Sequence, residues 1–242
     1  MYEAVRCMIL RTVRHDDRNN IVTAWSGTRG RVALTVASGG GAEARRRRAI
    51  TMPLAIVEGE VDFRPGREIV SMRDMRPSPL LPRLASEPAK ALTAMFLAEV
   101  LERLLQQTGP DAALFSFLTE AVATLDGFDS DAAVANFPVV FLARLSRYMG
   151  IRPDPSGWRR GRILDLAEGV YRTTAPVAGR WADADAARLA RALSVCPLGS
   201  AGRLPLRRSL RREVLEAILE YYTIHHTPLS ALRSLDVVTG IF

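Results

Sequence analysis

The period of the apolar positions changes along the chain. Through the first eighty or so residues they recur at every second position, and beyond that at every third or fourth. Val5, Cys7 and Ile9 alternate with Arg6, Met8 and Leu10. Ile21, Thr23 and Trp25 make a second run, and Val32, Leu34 and Val36 alternate with Arg31, Ala33 and Thr35. Period two marks a strand with one buried face. A fourth run covers Met52 to Phe63, with Glu58 and Glu60 on one face and Val57, Val61 and Phe63 on the other. Pro65-Gly66 turns it into a fifth, Glu68 to Arg73. Ser26-Gly27-Thr28-Arg29-Gly30 has the make-up of a hairpin turn, and Asp16-Asp17 reads as turn chemistry at a strand end. Five short strands in so little chain predict a closed β-barrel.

Pro77-Ser78-Pro79 and Pro82 interrupt regular structure and predict a boundary. The expected organisation is a barrel domain over 1–78 and a helical domain over 79–242. In the second, Ser86 is the expected N-cap of a helix with Pro88 in its first turn, carrying Leu97, Leu101, Leu104 and Leu105. Pro110-Asp111 opens another helix, which Gly127 ends. A third, with capping by Asp129 and Asp131, carries Phe141, Leu142, Leu145 and Tyr148 and stops at Gly150. Pro and Gly break the pattern between about 151 and 180, where only a hairpin of Ile163–Leu166 with Val170-Tyr171 is expected. Helices resume at Asp183–Val195 and at Pro205 to His225, and Pro228 starts a short last one through Leu232 and Leu235. The architecture predicted is α+β and multidomain.

Charge adds a functional direction. The net charge is +7, and the basic residues are one lysine, Lys90, and 32 arginines. Guanidinium groups hold phosphate through paired hydrogen bonds. Arg45, Arg46, Arg47 and Arg48 follow Gly39-Gly40-Gly41, which predicts a mobile basic arm beside the barrel, with Arg29 and Arg31 extending the patch. Arg207, Arg208, Arg211 and Arg212 recur at helical spacing and predict an exposed basic ridge. Both clusters point to a long polyanion. Trp25 is read as a barrel core residue, or else a face for a base.

Other chemistry is weakly represented. The glycine loop is not followed by the Lys-Ser/Thr of a nucleotide-phosphate loop. His15, His225 and His226 have no metal-ligand spacing, and Cys7 and Cys196 are too few for a thiolate zinc site or a disulfide framework. No cofactor is expected. Glu58, Glu60 and Asp62 share a strand face, which keeps a metal-dependent nuclease open as an alternative. A protein scaffold using its basic surface is another. The N-terminus lacks the layout of a signal peptide, no run is long enough to cross a membrane, and a cytoplasmic location is expected.

Several segments, in order, resemble the bacterial RecO family. They are Ile9-Leu10-Arg11-Thr12-Val13, Asn20-Ile21-Val22-Thr23 and Gly30-Arg31-Val32, then Arg73 to Pro77 leading to Phe96 through Leu101. Asn136-Phe137 through Leu145 to Gly150-Ile151 follows, then Leu219-Glu220-Tyr221-Tyr222 and Leu229 to Leu235. The resemblance implies an N-terminal OB-fold and a helical C-terminal domain. It implies a non-enzymatic mediator of recombinational repair that binds and anneals single-stranded DNA, with double-stranded DNA as a further ligand. Its partners would be RecR, the C-terminal tail of the single-stranded DNA-binding protein and, indirectly, RecA. For the acidic, phenylalanine-ended tail the candidates are Phe141, Arg144, Arg147 and Tyr148. Some members of the family carry a four-cysteine zinc site in the irregular segment. This chain has no cysteine between 151 and 180, so none is expected.

Overall fold

The computed structural model describes residues 2–177, 179–229 and 232–241. They form two compact units, Met1–Gly127 and Phe128–Phe242, and the proline-rich segment lies inside the first.

Five strands build the first unit: β1 (Tyr2–Arg14), β2 (Asn19–Ser26), β3 (Gly30–Ala37), β4 (Ile56–Asp62) and β5 (Ile69–Pro77). They close into a barrel in the order β1-β2-β3-β5-β4. All neighbours are antiparallel except β3 and β5, which run parallel over Ala33–Thr35. One strand, β1, spans the closure, pairing with β4 through its first half and with β2 through its second. This Greek-key closure, with a helix between β3 and β4, is an OB-fold.

The interior is filled by alternate residues. Val5, Cys7, Ile9, Val32, Leu34, Val57 and Val61 all point inward, as their period predicts. On β2 the inward residues are Val22 and Ala24, not Ile21, Thr23 and Trp25, because Val22 sits opposite Leu34 and Ala24 opposite Val32. Trp25 is nevertheless fully buried, outside the barrel. Its ring lies 6.2 Å from Phe115 and its indole N–H donates to the Thr108 carbonyl at 3.4 Å. It has no face left for a base. Burial also pushes the Cys7 thiol up to about 12.

Two glycines are needed by geometry. Gly30 closes the β2–β3 turn at φ 67°. At Gly59, where the β4–β5 register shifts, a Cβ would stand 2.5 Å from the Arg73 carbonyl oxygen.

The expected mobile arm is a helix, α1 (Gly41–Ile50). The reason is local: Ala-Glu-Ala, four arginines and Ala are all strong helix formers, and the glycines stop at its first residue. After it the chain turns back through Leu54 at φ 63°, so β4 starts at Ile56, not Met52.

Three helices complete this unit: α2 (Pro82–Ser86), α3 (Pro88–Leu104) and α4 (Ala112–Gly127). Ser86 ends α2 instead of capping α3. Glu87 takes that place in an extended conformation, as a residue before proline must. Packing of α3 against β1 explains why Met8 and Leu10 are buried as well as the inward set.

The second unit begins with α5 (Asp131–Tyr148). A small sheet follows, β6 (Ile163–Asp165), β7 (Val170–Arg172) and β8 (Trp181–Ala182), in the order β7-β6-β8. The third strand was not legible, since two residues have no period. Then come α6 (Ala184–Leu193), a 3-10 helix at Leu198–Arg203, α7 (Arg208–His225) and α8 (Leu235–Ile241). Asp183 caps α6, accepting from the N–H groups of Asp185 and Ala186 at 2.9 Å. The helix expected from Pro228 instead begins at Leu235; Ser230 and Ala231 lie outside the described residues. No described helix is long and apolar enough to cross a membrane.

Candidate nucleic-acid interface

The barrel holds α1 at both ends. After β3, the Ser38 N–H donates to the Arg18 carbonyl at 2.6 Å and the Ser38 hydroxyl to that of Asp17 at 3.0 Å. Beyond α1, Thr12 Oγ1 donates to the Thr51 carbonyl and Thr51 Oγ1 to that of Arg47, both at 2.8 Å. The β1–β2 turn is itself fixed by Asp16, whose Oδ1 accepts from the N–H groups of Arg18 and Asn19. The Arg18 N–H first, then the Asn19 side chain, hold that carboxyl below its usual range.

These bonds present α1 as a rigid basic surface. Arg45, Arg46 and Arg48 are exposed and Arg47 is half-buried. Arg45 and Arg48 stand three residues apart, on one side of the helix. Between α1 and the strand ends lies an open groove of about 510 Å³, lined by Arg14, Asn20, Ser38, Arg47, Arg48 and Thr51 among others. Guanidinium and amide donors in this groove suit a run of phosphates, while the Asp17 carboxylate, also in the lining, pairs with Arg14 at 2.5 Å. Sequence reading missed Arg14; its signal was its place at the end of a strand next to a turn.

Arg29 and Arg31 are not part of this surface. They lie at the opposite end of β3, whose eight residues span roughly 25 Å at about 3.3 Å each. Arg29 is ion-paired with Glu3 and lies over the Phe63 ring, 4.8 Å from its centroid. Arg31 is exposed.

In the second unit the α7 arginines differ from one another. Arg207, exposed, is the residue before the helix. Arg208 donates to the carbonyls of Thr239 and Gly240, at 2.9 and 3.0 Å. Arg211, half-buried, donates to Asn136 Oδ1 at 3.1 Å. Arg212 pairs with Glu216 at 2.7 Å. The ridge is real as a line of residues, but three of its four guanidinium groups have protein partners.

The residues expected to take a partner's tail have different surroundings. Phe141 is 1% exposed and stacks on Phe137 at 5.8 Å, so its ring belongs to the core. Arg144 donates to the Cys196 carbonyl at 2.8 Å. Tyr148 is half-buried and Arg147 exposed.

An apolar cavity of about 210 Å³ lies nearby, between the small sheet, α6 and α7. Leu164, Leu166, Tyr171, Ile218 and Tyr221 line it, and Arg152 and Arg191 stand among them. The Arg191 guanidinium lies over Trp158, 4.4 Å from the ring centroid, and its buried Nε has no partner among the described residues. Burial pushes the Tyr171 and Tyr221 hydroxyls up to about 12, so both remain neutral. The signal for this site was split between a hairpin of period two and two amphipathic helices, and only the fold joins them.

Two of the three carboxylates of β4 are matched to cations. Glu58 pairs with Arg76 at 2.8 Å and Asp62 with Arg64 at 2.7 Å. A metal would have to displace both arginines. Among the described residues no group of three His, Cys, Asp or Glu is placed to hold one.

An OB-fold barrel bearing a basic helix, followed by a helical unit with an arginine-rimmed pocket, places the chain in the OB-fold class of proteins. Residues 85–235 match the family model for the C-terminal part of recombination protein O. Over 235 residues, 97% of each chain, the sequence is 27% identical to the DNA repair protein RecO of Phocaeicola vulgatus. It is 27% identical to that of Bacteroides fragilis over 236 residues, again 97% of each. It is 24% identical to that of Azobacteroides pseudotrichonymphae along the whole of both chains. The chain belongs to the RecO family of DNA repair proteins.

Proposed function

We propose that this protein is a non-enzymatic recombination mediator. It binds single-stranded DNA, anneals complementary strands, and helps RecA onto DNA already coated by the single-stranded DNA-binding protein. The observation that carries the reading is the fixed row of arginines on α1 beside the groove at one end of the barrel. Neutralised phosphates release counterions and let two backbones approach, and base pairing then supplies the free energy of annealing. The α7 arginines offer a second contact, for single or double strands. RecR is the further partner that the family membership suggests.

The test is annealing of complementary oligonucleotides pre-coated with single-stranded DNA-binding protein, followed by fluorescence of labelled strands. The protein is expected to accelerate pairing with no nucleotide or metal added. No acceleration over the coated strands alone would reject the mediator reading.

For the partner's tail, the cavity beside Arg191 is a better acceptor than the surface around Phe141. An aromatic side chain fits its apolar lining, and the tail's carboxylates would meet Arg152 and Arg191. In calorimetry with an acidic peptide ending in phenylalanine, Arg191→Ala is expected to weaken binding by about tenfold, in line with losing a charged hydrogen bond. Arg147→Ala is expected to change it little. Equal affinities for wild type and Arg191→Ala would move the tail elsewhere.

A further inference from the structure

The contacts of the last helix with the α7 arginines have the character of a substitute anion. The carbonyl end of α8 is the negative end of its dipole, and its last carbonyls have no partner within the helix. Two of these, on Thr239 and Gly240, accept from Arg208. Arg212, held first by Glu216, is also within Coulombic reach of Asp236 on the same helix. The space left between Arg208, Arg211, Arg212, Val238 and Thr239 is about 20 Å³. That is room for about one water, and too little for a phosphate group.

We infer that α8 is a displaceable latch that competes with the DNA backbone for the arginines of α7. The inference rests on the reading of those arginines as a DNA contact. With α8 docked, Arg208 is occupied and the cleft is closed to phosphate. With α8 released, Arg208 loses its carbonyl partners and stands free for phosphate between the exposed Arg207 and Arg212. The latch is built to open. It has seven residues, fewer than a helix needs to persist by itself. Its Asp236 and Gly240 are exposed, and of its described side chains only Val238 is fully buried. A seven-residue element whose described contacts are one buried side chain and a few polar bonds belongs to the low-stability end of a fold.

Hydrogen–deuterium exchange on the full chain tests this directly. With saturating oligo-dT, the amides of 238–241 are expected to exchange faster than in the free protein. Unchanged or slower exchange there would overturn the latch. Val238→Ala, which loosens docking without touching an arginine, is expected to bind oligo-dT about three- to tenfold more tightly, since affinity scales with the open fraction. Asp236→Asn should move it the same way by less. Binding no tighter in either variant would also overturn it. Replacing Arg207, Arg208 and Arg212 by alanine in the Val238→Ala chain separates the two ideas. If the gain disappears, the latch stands. If the arginine variants weaken DNA binding but Val238→Ala gains nothing, the latch alone fails. If they leave DNA affinity unchanged in both backgrounds, α7 does not touch DNA, and the latch fails with that reading.

Discussion

Replacing Arg45, Arg46, Arg47 and Arg48 together by alanine is expected to weaken binding of single-stranded DNA by roughly a hundredfold at 0.1 M salt. The estimate follows from counterion release, in which each phosphate contact on a single strand contributes about 0.7 to the log–log salt slope, hence about fivefold at 0.1 M. Three of the four guanidinium groups are exposed and able to reach a backbone. A wild-type slope of about −3.5, for about five contacts, should fall to about −1.4. Fluorescence anisotropy at four or five salt concentrations measures both quantities. The fold should survive, because alanine is at least as good a helix former as arginine and the anchoring bonds at Thr12, Thr51 and Ser38 use none of these side chains. An unchanged slope would mean that α1 does not touch DNA. The strand would then have to run elsewhere, with Arg29 and Arg31 at the far end of β3 as the remaining predicted contacts in this unit.

The second large effect concerns stability. Lys90→Ala is expected to destabilise the first unit by about 3 kcal/mol, lowering its unfolding temperature by roughly 10 °C. Lys90 is the only lysine in the chain, and its side chain is fully buried. Its ammonium donates to the Asp126 carbonyl at 2.7 Å and pairs with Glu87 at 2.9 Å. Asp126 lies in the last turn of α4, where carbonyls lack helical partners. Its carboxylate in turn accepts from the Leu84 N–H of α2 at 2.6 Å. The ammonium therefore ties α3 to α4, and Asp126 carries the tie on to α2. Removing the ammonium leaves the carbonyl of half-buried Asp126 without its donor, and a cavity where the aliphatic stem packed. The estimate sits at the low end for a broken buried pair because Glu87 is partly exposed and water can take over there. Lys90→Met restores the stem but not the bonds, and should recover part of the loss. Thermal unfolding followed by circular dichroism decides it, and a shift under 2 °C for Lys90→Ala would show that the three-helix tie contributes little.

Lys90 also shows where sequence reading stops. A lone lysine is expected at the surface. It is buried here because the end of α4 needs a donor, and that need arises only when α2, α3 and α4 are assembled. The same holds for Phe141. Its helical spacing marks an apolar stripe, but spacing does not tell which members of a stripe are covered by the next layer. The cavity at Arg191 was invisible for a related reason: its walls come from segments some twenty to sixty residues apart, each unremarkable alone. The α1 helix was the opposite case. Its signal is present in Ala42 to Ala49, while the preceding glycines, taken by themselves, favour a flexible arm.

What the sequence determined by itself was whatever depends on local period and composition. Alternation over five runs was enough for a barrel, and three- and four-residue spacing for a helical remainder. Clustered guanidinium groups set the expectation of a polyanionic partner. These are properties of neighbouring residues, and solvent sorts them in any fold that buries one face of each element. The tertiary structure alone decided which arginines face solvent, which are tied to carbonyls and carboxylates, and which apolar residues leave a cavity open. Those outcomes are set by what packs on the other side, and one chain position carries no record of its partner across the core.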